Sequence, residues 1–241
     1  MSGRTVLISG GTDGIGKGAA LQLLKEGFNV STFSRDAENC SELQKELGKL
    51  YDESRFLVMK GDVADDKDME NAVAGTVAKF GSIDILINNA GFGYFSECDA
   101  VDISRFRKMI DTNLVGMALL TKLAVPHMKE KGAGLIINIS SMSGKRALMK
   151  GEFYSATKFA VMGYSEGLRK ELGGWGIKVS TICPGMVRTD FFDKAHYDKQ
   201  VIDDSTPMLD VDDISRIISL ICNQSGHCDI QDLSVMPFVR H

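Results

Sequence analysis

No uninterrupted apolar run of about 18 residues occurs in the chain, so nothing in it reads as a membrane-spanning helix. No charged leader followed by an apolar core opens it, and secretion is not expected. Cys40, Cys98, Cys183, Cys222 and Cys228 are odd in number and scattered, without a C-x-x-C spacing. That argues against a disulfide framework and structural zinc, and for a reducing, cytoplasmic compartment. His127, His196, His227 and His241 form no metal-binding spacing, so no metal is expected. A basic surplus is lacking too: a formal net charge of −4 gives no support for nucleic acid or an anionic membrane as a partner. There is no internal repeat and no low-complexity linker. What remains is 241 residues, 44% hydrophobic and 25% charged, enough for one sizeable core, and residues 1–241 read most economically as a single domain.

Short apolar runs alternate with longer amphipathic ones, the pattern of strand–helix units around a parallel sheet. Strands are expected near Thr5 to Ser9, Asn29 to Phe33, Arg55 to Lys60, Asp84 to Asn88, Leu135 to Ser140, Lys178 to Cys183 and Asp232 to Met236. Helices are expected near Gly14 to Glu26, Ala37 to Leu50, Asp66 to Phe80, Ile103 to Lys129, Tyr154 to Leu172 and Val211 to Cys222. Gly27, Gly81, Gly132 and Gly173-Gly174 follow helices, where C-terminal glycines belong. Right-handed crossovers then give an α/β Rossmann fold: a doubly wound, seven-stranded parallel sheet with helices on both faces and a ligand across the carboxyl ends of the strands. The long helix containing Asn113 and Pro126 is expected to be kinked or split.

Two segments carry chemistry. Tyr154 and Lys158 stand four apart, on one face of a helix. A phenol is a poor acid or base at neutral pH, and a neighbouring ammonium favours the phenolate and moves its pKa towards the useful range. Alone the pair is equally an aromatic packed beside a solvated lysine. The second segment begins with the apolar Val6-Leu7-Ile8, passes through Ser9-Gly10-Gly11-Thr12-Asp13-Gly14-Ile15-Gly16 and enters a helix. Strand, glycine loop and helix in that order make a phosphate cradle, because the backbone can approach closely and the helix N-terminus offers unpaired N–H groups. The G-x-x-x-G-x-G spacing at Gly10, Gly14 and Gly16 differs from the G-x-G-x-x-G fingerprint.

With these residues the chain resembles the short-chain dehydrogenase/reductases across nearly its whole length. Asn88-Asn89-Ala90-Gly91 matches the family's N-N-A-G, Asn113 its active-site asparagine, Ser141 its serine, Tyr154 and Lys158 its Y-x-x-x-K, and Pro184-Gly185-Met186-Val187-Arg188-Thr189 its P-G-x-V-x-T. The resemblance implies a catalytic set of Asn113, Ser141, Tyr154 and Lys158. It further implies that hydride would pass between a nicotinamide and a carbon bearing oxygen, with Tyr154 as acid in reduction and base in oxidation. Ser141 would donate to the substrate oxygen. Lys158 would lower the phenol pKa and reach the nicotinamide ribose, and Asn113 would hold a water next to the lysine. It also implies cofactor contacts from Gly10, Thr12, Asp13, Gly14, Ile15, Gly16, Ser34, Arg35, Asp62, Val63, Asn89, Ala90, Gly91, Tyr154, Lys158, Pro184, Gly185, Val187 and Thr189. Family members are commonly dimers or tetramers built through the helices near Ile103 to Lys129 and Tyr154 to Leu172, so a homodimer or homotetramer is expected.

The choice of cofactor turns on Phe33-Ser34-Arg35-Asp36 at the tip of the second strand. In the family an NAD-selecting acid stands where Ser34 is, and an NADP-selecting arginine where Arg35 is, which favours NADP(H) while leaving NAD(H) open. Asp36, twenty residues after Gly16, falls where the general dinucleotide rule places a ribose-binding acid. Arg35 and Asp36 as a merely solvated turn remain the plain alternative. Asp13 departs from the serine or basic residue common there and would cap the helix. Asp62 is either an adenine contact or a cap ahead of the helix at Asp66.

The expected substrate is a small carbonyl or alcohol compound, to be surrounded by Phe92-Gly93-Tyr94-Phe95, by Met142 to Gly151 and by a loop at about residues 186–207. Met142, Leu148, Met149, Met186, Phe191, Phe192 and Tyr197 suggest an apolar pocket, and Lys145, Arg146 and Arg188 are candidates for a carboxylate. The ending Ile230 to Phe238 looks like that of the NADP-dependent 3-hydroxy acid and serine dehydrogenase branch, with the 3-oxoacyl and steroid reductase branches open. The alternative to an enzyme is a dinucleotide-binding redox sensor or scaffold without turnover, and the presence of all four catalytic residue types favours the enzyme.

Overall fold

The structure is a computed structural model that describes residues 3–195 and 206–238. Thr5–Ser9 form β1, every residue of it buried, and α1 spans Gly14–Lys25 behind the cap Asp13, whose carboxylate accepts the Gly14 N–H. There follow β2 (Asn29–Ser34), α2 (Ala37–Leu50), β3 (Phe56–Lys60), α3 (Asp66–Phe80) and β4 (Ile85–Asn88). The second half runs α4 (Ile103–Ile110), a π-helical turn at Asp111–Gly116, α5 (Met117–Lys131) and β5 (Gly134–Ile139). It continues with α6 (Glu152–Leu172), β6 (Ile177–Pro184), α7 (Phe191–Lys194), α8 (Val211–Cys222) and β7 (Asp232–Val235).

All seven strands pair in parallel in the order β3-β2-β1-β4-β5-β6-β7. Strand order therefore reverses between β1 and β4, and at such a switch point a crevice opens beyond the carboxyl ends of the strands. Side chains alternate across the pleat. Val6 and Ile8 point into a core shared with Leu23, Leu24, Ile214 and Ile218 of α1 and α8. Leu7 points to the other face, into a core with Met69, Leu120 and Leu168 of α3, α5 and α6. Each such side chain contributes roughly 1.5–3 kcal/mol through burial.

The helix expected from Ile103 to Lys129 is interrupted, and Pro126 is not the cause: it lies inside continuous α5. The break is the π turn at Asp111–Gly116, which contains the buried Asn113. An apolar period cannot reveal one surplus residue in a turn. The helix expected to begin at Tyr154 begins two residues earlier, at Glu152. A buried polar chain ties this half together: Asn88 Nδ2 donates to Thr121 Oγ1 (3.0 Å) and to Asn138 Oδ1 (2.8 Å), and Asn138 Nδ2 donates to Ser165 Oγ (2.8 Å). At the opposite end of the sheet Lys131 is paired with Asp84, whose other oxygen accepts the Thr5 N–H at 2.7 Å. No helix among the described residues is long and apolar enough to cross a membrane.

Candidate active site

A cleft of about 770 Å³ opens at the switch point. Its floor is the glycine loop, held in shape by close approaches. Gly10 (φ 67) and Gly14 (φ 48) adopt left-handed backbone that glycine tolerates. A Cβ on Gly16 would stand 2.3 Å from the Gly10 carbonyl oxygen and 2.5 Å from Asn89 Nδ2, so α1 can begin here only without a side chain. Ser9 Oγ accepts the N–H groups of Asn89 and Ala90, each at 3.1 Å, and Asn89 Nδ2 donates to the carbonyls of Ser9 (3.1 Å) and Gly10 (2.9 Å). The loop after β1 and the loop after β4 are thus one unit.

Of the residues singled out from sequence, Gly10, Thr12, Asp13, Gly14, Ile15, Ser34, Arg35, Asp62, Val63, Asn89, Ala90, Gly91, Ser141, Tyr154, Lys158, Pro184, Gly185, Val187 and Thr189 line this cleft. Gly16 and Asn113 lie behind it. Asn113 is pinned: its Nδ2 donates to the Phe92 carbonyl (2.9 Å) and to Thr157 Oγ1 (3.1 Å), and its Oδ1 accepts the Phe92 N–H (3.0 Å). A Cβ on Gly91 would lie 3.1 Å from Asn113 Oδ1 and 3.6 Å from Lys158 Nζ, so the missing side chain lets these two groups share one corner.

At the inner end of the cleft Ser141 follows β5 and Tyr154 and Lys158 project from the first turns of α6. Ser141 Oγ accepts the Ser143 N–H at 3.1 Å, which leaves its own proton to give. Burial pushes the Tyr154 phenol up to about 12, and a hydrogen bond with Ser141 works against it. The lowering by Lys158 expected from sequence is not what the structure shows. Lys158 Nζ, 5.8 Å from the Tyr154 ring centre, donates instead to the Ile139 carbonyl at 3.0 Å, and burial is the largest influence on the phenol. Burial lowers Lys158 itself to about 8. Phe95 and Phe191 flank the phenol ring at centroid distances of 5.5 and 5.7 Å.

Two acids that allowed more than one reading are separated by their local bonds. Asp36 stands at the cleft, but its Oδ1 accepts the Glu38 and Asn39 N–H groups at 3.0 Å each and caps α2. Asp62 is not a helix cap: its Oδ1 accepts the Ala64 N–H at 3.0 Å, and α3 is capped by Asp65. Thr189 Oγ1 accepts the Phe191 N–H at 3.3 Å, and its methyl group lies 3.1 Å from where a Gly14 Cβ would be. Sequence reasoning missed Arg105, Lys108 and Thr112, which also line the cleft. Charged residues on an amphipathic helix look solvated until its facing is known. Tyr197 and His196 lie outside the described residues, as does much of the 186–207 loop.

A glycine-cradled crevice at the switch point of a parallel sheet defines a dinucleotide-binding protein. The sequence model of the family described as short chain dehydrogenase matches residues 4–200, and the chain belongs to that family, an NAD(P)-dependent oxidoreductase group acting between CH–OH and C=O. It is 34% identical to serine 3-dehydrogenase of Rhizobium radiobacter over 98% of this chain and 94% of that protein. It is 31% identical to NADP-dependent 3-hydroxy acid dehydrogenase of Schizosaccharomyces pombe, over 98% of this chain and 93% of that one. Among solved structures, the closed form of serine dehydrogenase complexed with NADP+ superposes with a TM-score of 0.88 at 30% identity, over 97% of this chain and 94% of that chain.

Proposed function

We propose that the protein uses NADP(H) to interconvert an alcohol and a carbonyl, with Tyr154 as the proton-transfer group. The observation that carries this is the convergence of Ser141, Tyr154 and Lys158 at the closed end of a glycine-floored cleft. The cleft fits the cofactor: Gly10, Gly14 and Gly16 leave room where side chains would stand, and the N-terminus of α1 offers N–H groups to phosphates. When bound, the nicotinamide supplies or accepts the hydride. Tyr154 gives its phenolic proton to the substrate oxygen in reduction and takes it back in oxidation. Ser141 Oγ–H donates to the same oxygen as negative charge develops there. Lys158, whose Nζ donates to the Ile139 carbonyl beside the cleft, would hold the cofactor ribose. Asn113, with both ends of its amide bonded, fixes Phe92 and α6 beside Lys158 and orders a water in that corner.

NADP(H) is favoured over NAD(H) because Arg35 lines the cleft beside Ser34 while the Asp36 carboxylate is engaged in capping α2. The NADP-linked relatives support the same choice. The substrate is a small hydroxy acid or its oxo form, since the two curated relatives carry such names and Arg105, Lys108 and Arg146 stand at the cleft for a carboxylate. The working assembly is a homodimer or homotetramer in the cytoplasm. Val115 and Phe159, 51% and 46% exposed, leave apolar surface on the helical segments expected at the interface.

The experiment is a substrate screen with NADPH and NADH, run on the wild type and on Arg35→Ala. NADPH consumption with a subset of carbonyl compounds is expected, and Arg35→Ala weakens NADPH binding about tenfold or more, the scale of a lost charge-assisted contact, while NADH is little changed. No turnover with any compound would favour a non-catalytic sensor, and equal losses for both cofactors would remove Arg35 from phosphate recognition.

A further inference from the structure

Lys150 is the one non-glycine residue with positive φ, at 58°, among the described residues. It stands in the loop leading into α6, a conformation that L side chains adopt only where the surroundings impose it. Its carbonyl accepts the Ser96 N–H at 2.9 Å, and its Nζ pairs with Glu97 at 2.6 Å. Four residues before Ser96, the backbone of Phe92 is bonded through both its N–H and its carbonyl to the Asn113 amide. The strap from Phe92 to Ser96 is therefore anchored at both ends. Between the anchors Gly93 is pressed so closely that a Cβ would lie 2.8 Å from the Phe191 ring and 2.9 Å from the Phe95 ring. Phe95 in turn packs against Gly151, where a Cβ would meet its ring at 3.0 Å, and against Tyr154.

We propose that Lys150 is a positioning residue for substrate specificity: its left-handed backbone fixes the strap that holds Phe95 against Tyr154, so that only a carbonyl with one slim, unbranched side reaches the phenol. This rests on the proposed oxidoreductase reading, and Lys150 itself touches no reacting atom. The backbone, rather than the ion pair, carries the effect, because the Lys150 and Glu97 side chains are 52% and 60% exposed and a solvated pair contributes little.

The test compares reduction of butanone and benzophenone by the wild type and five variants. Lys150→Gly and Lys150→Asn keep access to positive φ, and each is expected to leave the benzophenone-to-butanone ratio of kcat/KM within about twofold. Glu97→Gln is expected to do the same. Lys150→Val, whose β-branch disfavours that backbone, is expected to raise the ratio about tenfold or more, the scale on which a pocket discriminates a few carbon atoms. Phe95→Ala should reproduce the rise with Lys150 intact. Hydrogen exchange over residues 92–99 should quicken in Lys150→Val and not in Lys150→Gly. An unchanged ratio in Phe95→Ala, or exchange in Lys150→Val equal to that of the wild type, would overturn the inference while leaving the proposed activity standing. Wild-type protein that reduces no carbonyl compound would overturn the activity and the specificity inference together.

Discussion

Tyr154→Phe is expected to bind NADPH within about twofold of the wild type while turnover falls about a hundredfold or more, the scale of a lost acid–base group. The substitution deletes one oxygen and keeps the ring, and the ring is what Phe95 and Phe191 hold from either side. Packing, and with it the cleft wall, is preserved. Ser141 keeps its accepted hydrogen bond from Ser143 and can still donate to the substrate, so a residual rate from oxyanion stabilisation remains. Nucleotide titration by fluorescence together with initial rates separates the two effects. A variant with near-normal turnover would show that another group moves the proton.

Lys158→Met should remove activity and yet stabilise the empty protein at neutral pH. Lys158 is 5% exposed, donates to the Ile139 carbonyl, and has its pKa lowered to about 8 from an ordinary 10.5. Holding its charge indoors costs on the order of a few kcal/mol below pH 8. Methionine fills similar volume without that cost. The sign follows from proton counting. Between about 8 and 10.5 the unfolded chain binds more protons at this site than the folded one, so wild-type stability rises with pH across that window. The methionine variant lacks this rise, and its advantage in urea midpoint should be greatest at pH 7 and shrink towards pH 10. An advantage independent of pH would mean the lysine is not buried as a charge. Turnover in the variant should fall about a hundredfold or more, because the ammonium proposed to orient the cofactor ribose beside Tyr154 is gone.

Much of this was legible in the chain because the signals are local. Buried strands such as Val6-Leu7-Ile8 read as short apolar runs, and the glycine loop declares itself through residues that cannot carry a Cβ. The placement of Ser141, Tyr154 and Lys158 in one cleft follows from a loop and a helix whose spacings are fixed. What stayed hidden depends on which way an element faces or how deeply it is covered. Arg105 and Lys108 look like solvated helix residues until α4 is docked against the cleft. Asp36 has the spacing of a ribose ligand and the local geometry of a cap, and only the backbone N–H groups of Glu38 and Asn39 decide between them. The phenol moved opposite to expectation because burial is a property of the whole fold, whereas a lysine four residues away is visible in a line of text. The π turn around Asn113 escaped for the related reason that a single added residue hardly disturbs a pattern of hydrophobicity.

The strand order has a consequence for how the chain matures as it is synthesised. From β1 the polypeptide builds outward through β2 to β3, then returns to lay β4 against the other side of β1 and builds outward again to β7. One wing precedes the other along the chain, and since a domain folds as a unit neither wing completes the sheet alone. The glycine loop belongs to the first wing and Asn89 to Gly91 to the first strand of the second, joined by Ser9. A chain ending after β3 would therefore lack both the β4 partner of β1 and the Asn89 to Gly91 half of the cradle, so the nucleotide site requires the second wing.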